Sequence, residues 1–218
     1  PLGRNLVAEG ARTITLFLSH LHHDHTAGLP FFAPLFDPSA EIEVLFGNFD
    51  GHSAQAALDR VFAPPFFPRT LSEIAPNLTH TGFRAGETLR FGDVRISSRA
   101  LHHPGGCSAL RFERAGASLT YATDVEHLDP EPDPGMIEFV SRTDLLIYDT
   151  MLTEAEAATC AGWGHSTWGG GVQLAQAASV RRLAAFHHNP TFDDARLSTL
   201  EAELQTHLPE AFYAREGQ

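Results

Sequence analysis

Hydrophobic residues in this chain come in short blocks, each closed by a turn or by a polar cluster. Thr13 to Ser19 is apolar and β-branched and predicts a buried strand. Ala27 to Phe36 predicts a short helix, with Pro30 early and Pro34 limiting its length. Ile42 to Phe46 predicts another strand. In Ser53 to Phe62 the apolar residues Ala54, Ala57, Leu58, Val61 and Phe62 recur at helical spacing behind Ser53 as N-cap. From Leu78 the pattern turns to β. The turn-rich segment Gly86 to Asp93 leads into a strand over Val94 to Leu101. Ala109 to Glu113 and Ser118 to Ala122 form a hairpin around Arg114-Ala115-Gly116. Leu145 to Tyr148 and Leu183 to Phe186 read as strands, and Glu154 to Cys160, Trp168 to Ser179 and Asp193 to His207 as helices. Strands followed by helices, after a β-rich middle, predict a layered α/β sandwich.

The blocks matter for what ends them. Ser19-His20-Leu21-His22-His23-Asp24-His25 directly follows the first strand. His20 and His22 are two apart, so in extended backbone they point the same way, and Asp24 and His25 follow where the chain turns. Imidazole with carboxylate favours zinc, with manganese or iron as alternatives. The cluster suits two neighbouring cations better than one. Polar residues then recur after apolar runs at His103, Asp124, Asp149, His165 and His187.

The pattern His-x-His-x-Asp-His, here His20, His22, Asp24 and His25, resembles the signature of the metallo-β-lactamase superfamily. The resemblance implies an αβ/βα four-layer sandwich and a centre of two divalent metal ions. His20, His22 and His103 would hold one metal and Asp24, His25 and His187 the other, with Asp124 bridging. His102 and His188 compete for the adjacent roles and are assigned to support ligands from behind. Two bridged metals would hold a hydroxide and polarise the oxygen under attack. No serine or cysteine nucleophile is then required, and Cys107 is read as a packing residue.

Members of the superfamily usually carry two or three strands before the histidine motif, whereas only 19 residues precede His20. Residues 1–218 are therefore read as one domain that is short at its N-terminus and lacks the first strands. That shortfall predicts an exposed sheet edge.

Gly162-Trp163-Gly164-His165-Ser166-Thr167 resembles the Gly-His-Ser-Thr motif of the superfamily's phosphodiesterase branch, which includes ribonuclease Z and cyclic phosphodiesterases. The resemblance implies that His165 contacts the scissile phosphate and helps the leaving oxygen depart, paired with Asp149. Ser166 would meet the substrate at a helix start, where free N–H groups suit an anion. The catalytic set is then Asp24, His165 and Asp149, and the substrate-binding set His165 and Ser166. Gly169-Gly170-Gly171 in the first turn is a departure that weakens the helix.

Net charge is −12 with 15 Lys+Arg against 27 Asp+Glu, which disfavours long nucleic acid and leaves a small anionic phosphodiester as the expected partner. No apolar run approaches the roughly 20 residues of a membrane span. Two cysteines outside any C-x-x-C pair fit a cytoplasmic setting. Residues 30–68 concentrate half of the 16 phenylalanines, among them Phe31, Phe49, Phe66 and Phe67. That window is read as a proline-stiffened excursion, a hydrophobic wall beside the metal site or a homodimer contact. The function expected is a dinuclear metal hydrolase cleaving a small phosphodiester, a cyclic nucleotide or cyclic phosphate. The alternatives are a thioester or lactone hydrolase of glyoxalase II type and a non-catalytic metal-binding or sensing domain.

Overall fold

The computed structural model describes residues 1–47 and 53–217; Phe49 lies outside the described residues. The chain resolves into two compact units, Pro1–Ala85 (with Gly217) and Gly86–Glu216.

The first unit contains α1 (Leu2–Ala8), β1 (Thr13–Leu18), α2 (His23–Thr26), two 3₁₀ turns (Leu29–Phe31 and Ala33–Phe36), β2 (Glu41–Gly47), α3 (Ala54–Val61), α4 (Leu71–Ile74) and β3 (Leu78–Phe83). Its three strands are parallel, in the order β1-β2-β3, with Leu18 opposite Phe46. Ile14, Ile42, Val44, Leu58, Phe62 and Ile74 form its core. Ser53 caps α3 as expected, accepting from Ala56 N–H at 3.2 Å. The helix expected over 27–36 is instead two 3₁₀ turns. Pro30 and Pro34 each remove an N–H, so no continuous α ladder can form.

The second unit contains β4 (Thr88–Phe91), β5 (Val94–Leu101), β6 (Cys107–Arg114), β7 (Ala117–Ala122), α5 (Pro134–Val140), β8 (Leu145–Asp149), α6 (Glu154–Ala157), α7 (Trp168–Ala177), β9 (Leu183–Phe186), α8 (Asp194–His207) and β10 (Phe212–Tyr213). The sheet order is β10-β9-β8-β7-β6-β5-β4. Strands β4 to β7 pair antiparallel and β7 to β10 parallel. Met136 and Val140 of α5, Val172 and Leu174 of α7, and Leu200 and Leu204 of α8 pack into one core with Leu146, Tyr148 and Leu183 of the sheet.

Topology positions the chemistry. β5 is antiparallel to β6 and β6 to β7, so β5 runs with β7, β8 and β9. All four strands end at one edge, and the carboxyl ends of parallel strands are where ligands bind in open α/β sheets. His103 follows β5, Asp124 follows β7, Asp149 ends β8 and His187 follows β9. Among the described residues no helix is long and apolar enough to cross a membrane.

Candidate metal centre and proton-donor pair

In the first unit the motif is compact. The His20 ring lies 4.7 Å from that of His22 and 4.3 Å from that of His25. His25 Nε2 is 3.3 Å from Asp24 Oδ2, with the Asp24 side chain 61% exposed. Ser19 Oγ sits 3.2 Å from Nδ1 of the buried His20. The aromatic excursion forms a cleft of about 510 Å³ in this unit, lined by His23, Ala27, Phe31, Arg60, Phe66 and Phe67. Its wall therefore includes α2, the motif's own helix. Phe31 and Phe66 are 82% and 84% exposed.

In the second unit one ligand-type atom from each of Asp124, Asp149, His165 and His187 lies within 4.8 Å of the others. Asp124 and His187 have φ of +58° and +59°, a region that non-glycine residues seldom occupy and that Asp and His tolerate best. The left-handed residue turns the chain sharply at the strand end. Asp124 Oδ2 accepts from Thr123 Oγ at 2.7 Å. Its Oδ1 faces three imidazoles, with His187 Nε2 at 3.4 Å, His165 Nδ1 at 3.8 Å and His103 Nε2 at 3.9 Å. His103 Nδ1 donates to Gly164 O at 2.9 Å, which leaves its Nε2 lone pair on the Asp124 side.

Asp149 is different. Its Oδ2 accepts from Asp124 N–H and His165 Nδ1–H, both at 3.0 Å. Its Oδ1 accepts from Ser166 N–H at 2.9 Å and Met151 N–H at 3.1 Å. A carboxylate offers about four lone-pair positions, and all are taken. Asp149 therefore orients its neighbours, although one of its oxygens lies within 4.8 Å of ligand-type atoms of Asp124, His165 and His187. His165 is held through Nδ1, so Nε2 is the nitrogen it presents. Its ring stacks on His187 at 5.0 Å and meets His103 edge-on at 5.4 Å.

These donor sets, imidazole nitrogens beside carboxylate oxygens, fit divalent metal ions.

A family model described as a beta-lactamase superfamily domain matches residues 4–188. The chain belongs to that superfamily. It is 28% identical over 148 residues to ribonuclease Z from Synechococcus sp. strain CC9311, covering 66% of this chain and 43% of that relative. The chain thus spans less than half the length of that curated relative. Among solved structures, the metallo-β-lactamase fold protein YhfI from Bacillus subtilis aligns with a TM-score of 0.68 at 18% identity, over 94% of this chain and 76% of that one. Unliganded yeast PDE1 aligns with a TM-score of 0.70 at 15% identity, over 94% of this chain and 67% of that one. The fold is the metallo-β-lactamase α/β fold, as the histidine motif implies, and the resemblance to the phosphodiesterase branch is matched by the ribonuclease Z relative.

Within this superfamily frame, several motif residues sit otherwise than the sequence suggests. Ser166 faces inward at 3% exposure. Its N–H goes to Asp149 and its Oγ donates to Val125 O, so both are occupied by internal contacts. The N-cap of α7 is Thr167, whose Oγ accepts from Gly170 N–H at 3.0 Å. His188 turns toward β10, with Nε2 3.0 Å from Ala214 O and its ring on Tyr213. His102 is exposed, and what it contributes is its carbonyl, 3.0 Å from Glu126 N–H. The partner of His103 Nδ1 is thus the Gly164 carbonyl. Cys107 is buried with Sγ 3.4 Å from Thr123 O, a packing role.

The glycines of α7 have a steric reason. A Cβ on Gly169 would collide with Glu154 Oε1, on Gly170 would lie 3.2 Å from His127 Nε2, and on Gly171 would lie 3.0 Å from Tyr148 Cδ1. Close approach offsets their weak helix propensity. His127 and Tyr148 form a hydrogen bond that sequence reading did not single out. Burial pushes the Tyr148 hydroxyl above its ordinary range and pulls His127 below its own. His165, Thr167, Trp168, Glu154 and His207 line a cavity of about 690 Å³ in this unit.

Proposed function

We propose that this chain is a metal-dependent hydrolase that cleaves a small anionic phosphodiester, a cyclic nucleotide or related cyclic phosphate. The observation that carries the reading is the His165–Asp149 pair at 3.0 Å, set beside Asp124 and His187 but with Asp149 saturated by hydrogen bonds. A thioester or lactone hydrolase needs the metals and no such second pair.

In this reading His20, His22 and His103 would hold one metal, Asp24, His25 and His187 the second, and Asp124 would serve both, as the order of the superfamily motif implies. Zinc suits these ligands best. Bound divalent metals supply an activated water and a positive field on the phosphate oxygens. Asp24, whose side chain is 61% exposed, would orient that water. Hydrolysis would form a P–O bond to water as the P–O bond to the leaving oxygen breaks, and that oxygen would take the Nε2 proton of a His165 protonated on both ring nitrogens. Asp149 holds His165 Nδ1–H so that Nε2 faces the leaving group. Ser166 braces the pair through Asp149 without touching substrate.

A second reading, an RNA substrate, is favoured by the name of the ribonuclease Z relative. A net charge of −12 argues against it, because affinity for long RNA rests on cationic contacts to phosphates. Turnover of bis(p-nitrophenyl) phosphate by zinc- or manganese-loaded protein tests the reading, beside a thioester, a lactone and a tRNA precursor. Diester turnover is expected. Activity on the thioester or lactone alone would refute it, and preference for the precursor would move the substrate to RNA.

A further inference from the structure

Glu126 lies two residues past Asp124, and nothing in the sequence marks it. Its carboxylate takes two backbone donors, Gly162 N–H to Oε1 at 2.8 Å and Gly164 N–H to Oε2 at 2.9 Å. Gly162 and Gly164 have φ of +84° and +83°, so the turn between them is built from the residues with the least conformational bias of their own. The carboxylate is what closes it. The other side of Gly164 serves the site, because its carbonyl accepts from His103 Nδ1 at 2.9 Å. Glu126 N–H donates to His102 O at 3.0 Å. The bonds form a closed ring: His102 to Glu126, Glu126 to Gly164, Gly164 to His103, which adjoins His102 in the chain. His165 leaves this ring as the next residue after Gly164.

We propose that Glu126 is a positioning residue: its two-oxygen clamp on the Gly162–Gly164 turn fixes the tautomer and direction of His103 and the point from which His165 reaches Asp149. Both halves of the chemistry, ligand and proton donor, then depend on one side chain whose two oxygens are turned to the Gly162 and Gly164 amides. A glutamate is required because two converging N–H groups need two acceptor oxygens. Glutamine supplies one oxygen and sets its own NH₂ against the other donor. The role of His103 as a metal ligand rests on the function proposed above.

The test uses Glu126→Gln in the full chain, with Trp163→Ala as a control in the same turn, since that indole is 57% exposed. Long-range ¹⁵N–¹H correlation of metal-free protein shows which His103 nitrogen carries the proton. Wild type and Trp163→Ala should show Nδ1–H alone, and Glu126→Gln a mixture. Zinc affinity, by competition with a chelator, should fall about 10- to 100-fold for one metal in Glu126→Gln, the usual effect of losing a ligand's rear support. Circular dichroism confirms the fold. A folded Glu126→Gln with an unchanged His103 tautomer overturns the proposal. If wild type itself takes up no zinc, the proposed function fails, and the tautomer measurement still decides the role of Glu126.

Discussion

His165 Nδ1 donates to Asp149 Oδ2 at 3.0 Å, and that carboxylate simultaneously receives the N–H groups of Asp124, Met151 and Ser166. The histidine is therefore aimed by a group that has no lone pair to spare for a cation. In the function proposed above, proton delivery and metal binding fall to different residues. The separation can be tested residue by residue.

Removing the donor should leave the metals in place. His165→Ala is expected to retain full zinc content while losing roughly 10²- to 10⁴-fold in rate on a diester with an alkoxide leaving group. The loss should shrink for p-nitrophenolate, which departs without a proton. Equal losses on the two diesters would make His165 a phosphate-binding group. Loss of zinc would make it a ligand.

Asp149→Asn should disorient His165 and also weaken the fold. An asparagine offers acceptor positions on one oxygen only, so two of the four donors now facing Asp149 would meet an NH₂ group. An unsatisfied buried donor costs about 1–3 kcal/mol. Chemical denaturation should show a destabilisation of that order, absent in His165→Ala.

Asp124 and His103 should differ in how many metals they control. Asp124→Ala is expected to lower the occupancy of both ions, and His103→Ala of one. Metal analysis after dialysis reads the result, and a wild-type stoichiometry of one would end the dinuclear assignment.

Gly162 and Gly164 share a left-handed backbone but not an environment. A Cβ on Gly162 meets nothing within 4 Å, whereas on Gly164 it collides with His103 Nδ1 and lies 2.5 Å from Pro104 Cδ. Gly162→Ala should cost about 1–2 kcal/mol, the backbone penalty alone. Gly164→Ala should cost more and also reduce zinc uptake. Denaturation midpoints and metal content measured together distinguish the two.

Burial lowers the pKa of His127, outweighing the Asp149 and Glu154 charges. The folded protein therefore resists protonating it, while the unfolded chain takes up the proton near pH 6.5. Stability from this group is present above that value and declines as pH falls through it. His127→Gln should flatten the fall in stability between pH 7 and 5, as measured by denaturant titration.

The strands were legible because each ends abruptly in chemistry: Leu18 before the histidine cluster, Tyr148 before Asp149, Phe186 before His187. Helix α8 was legible from Asp193, whose side chain accepts from Arg196 N–H at 2.8 Å. Other signals were present and unread. Thr70 with Glu73 forms a capping box at α4, and Asp133 before Pro134 starts α5. Contacts that depend on distant strands were not legible. Glu126 meets Gly162 and Gly164 across 36 and 38 residues, and no local pattern encodes that meeting. The internal contacts of His188 and Ser166 were not legible either, since sequence adjacency does not say which way a side chain faces.

Because three separate loops pin their amides on the same carboxylate, they cannot breathe one at a time. Hydrogen exchange of the Asp124, Met151 and Ser166 amides should follow a single shared opening, slow and with one common free energy. In the function proposed, such a site would meet its substrate already set. Whatever mobility accompanies turnover then belongs to segments that Asp149 does not hold.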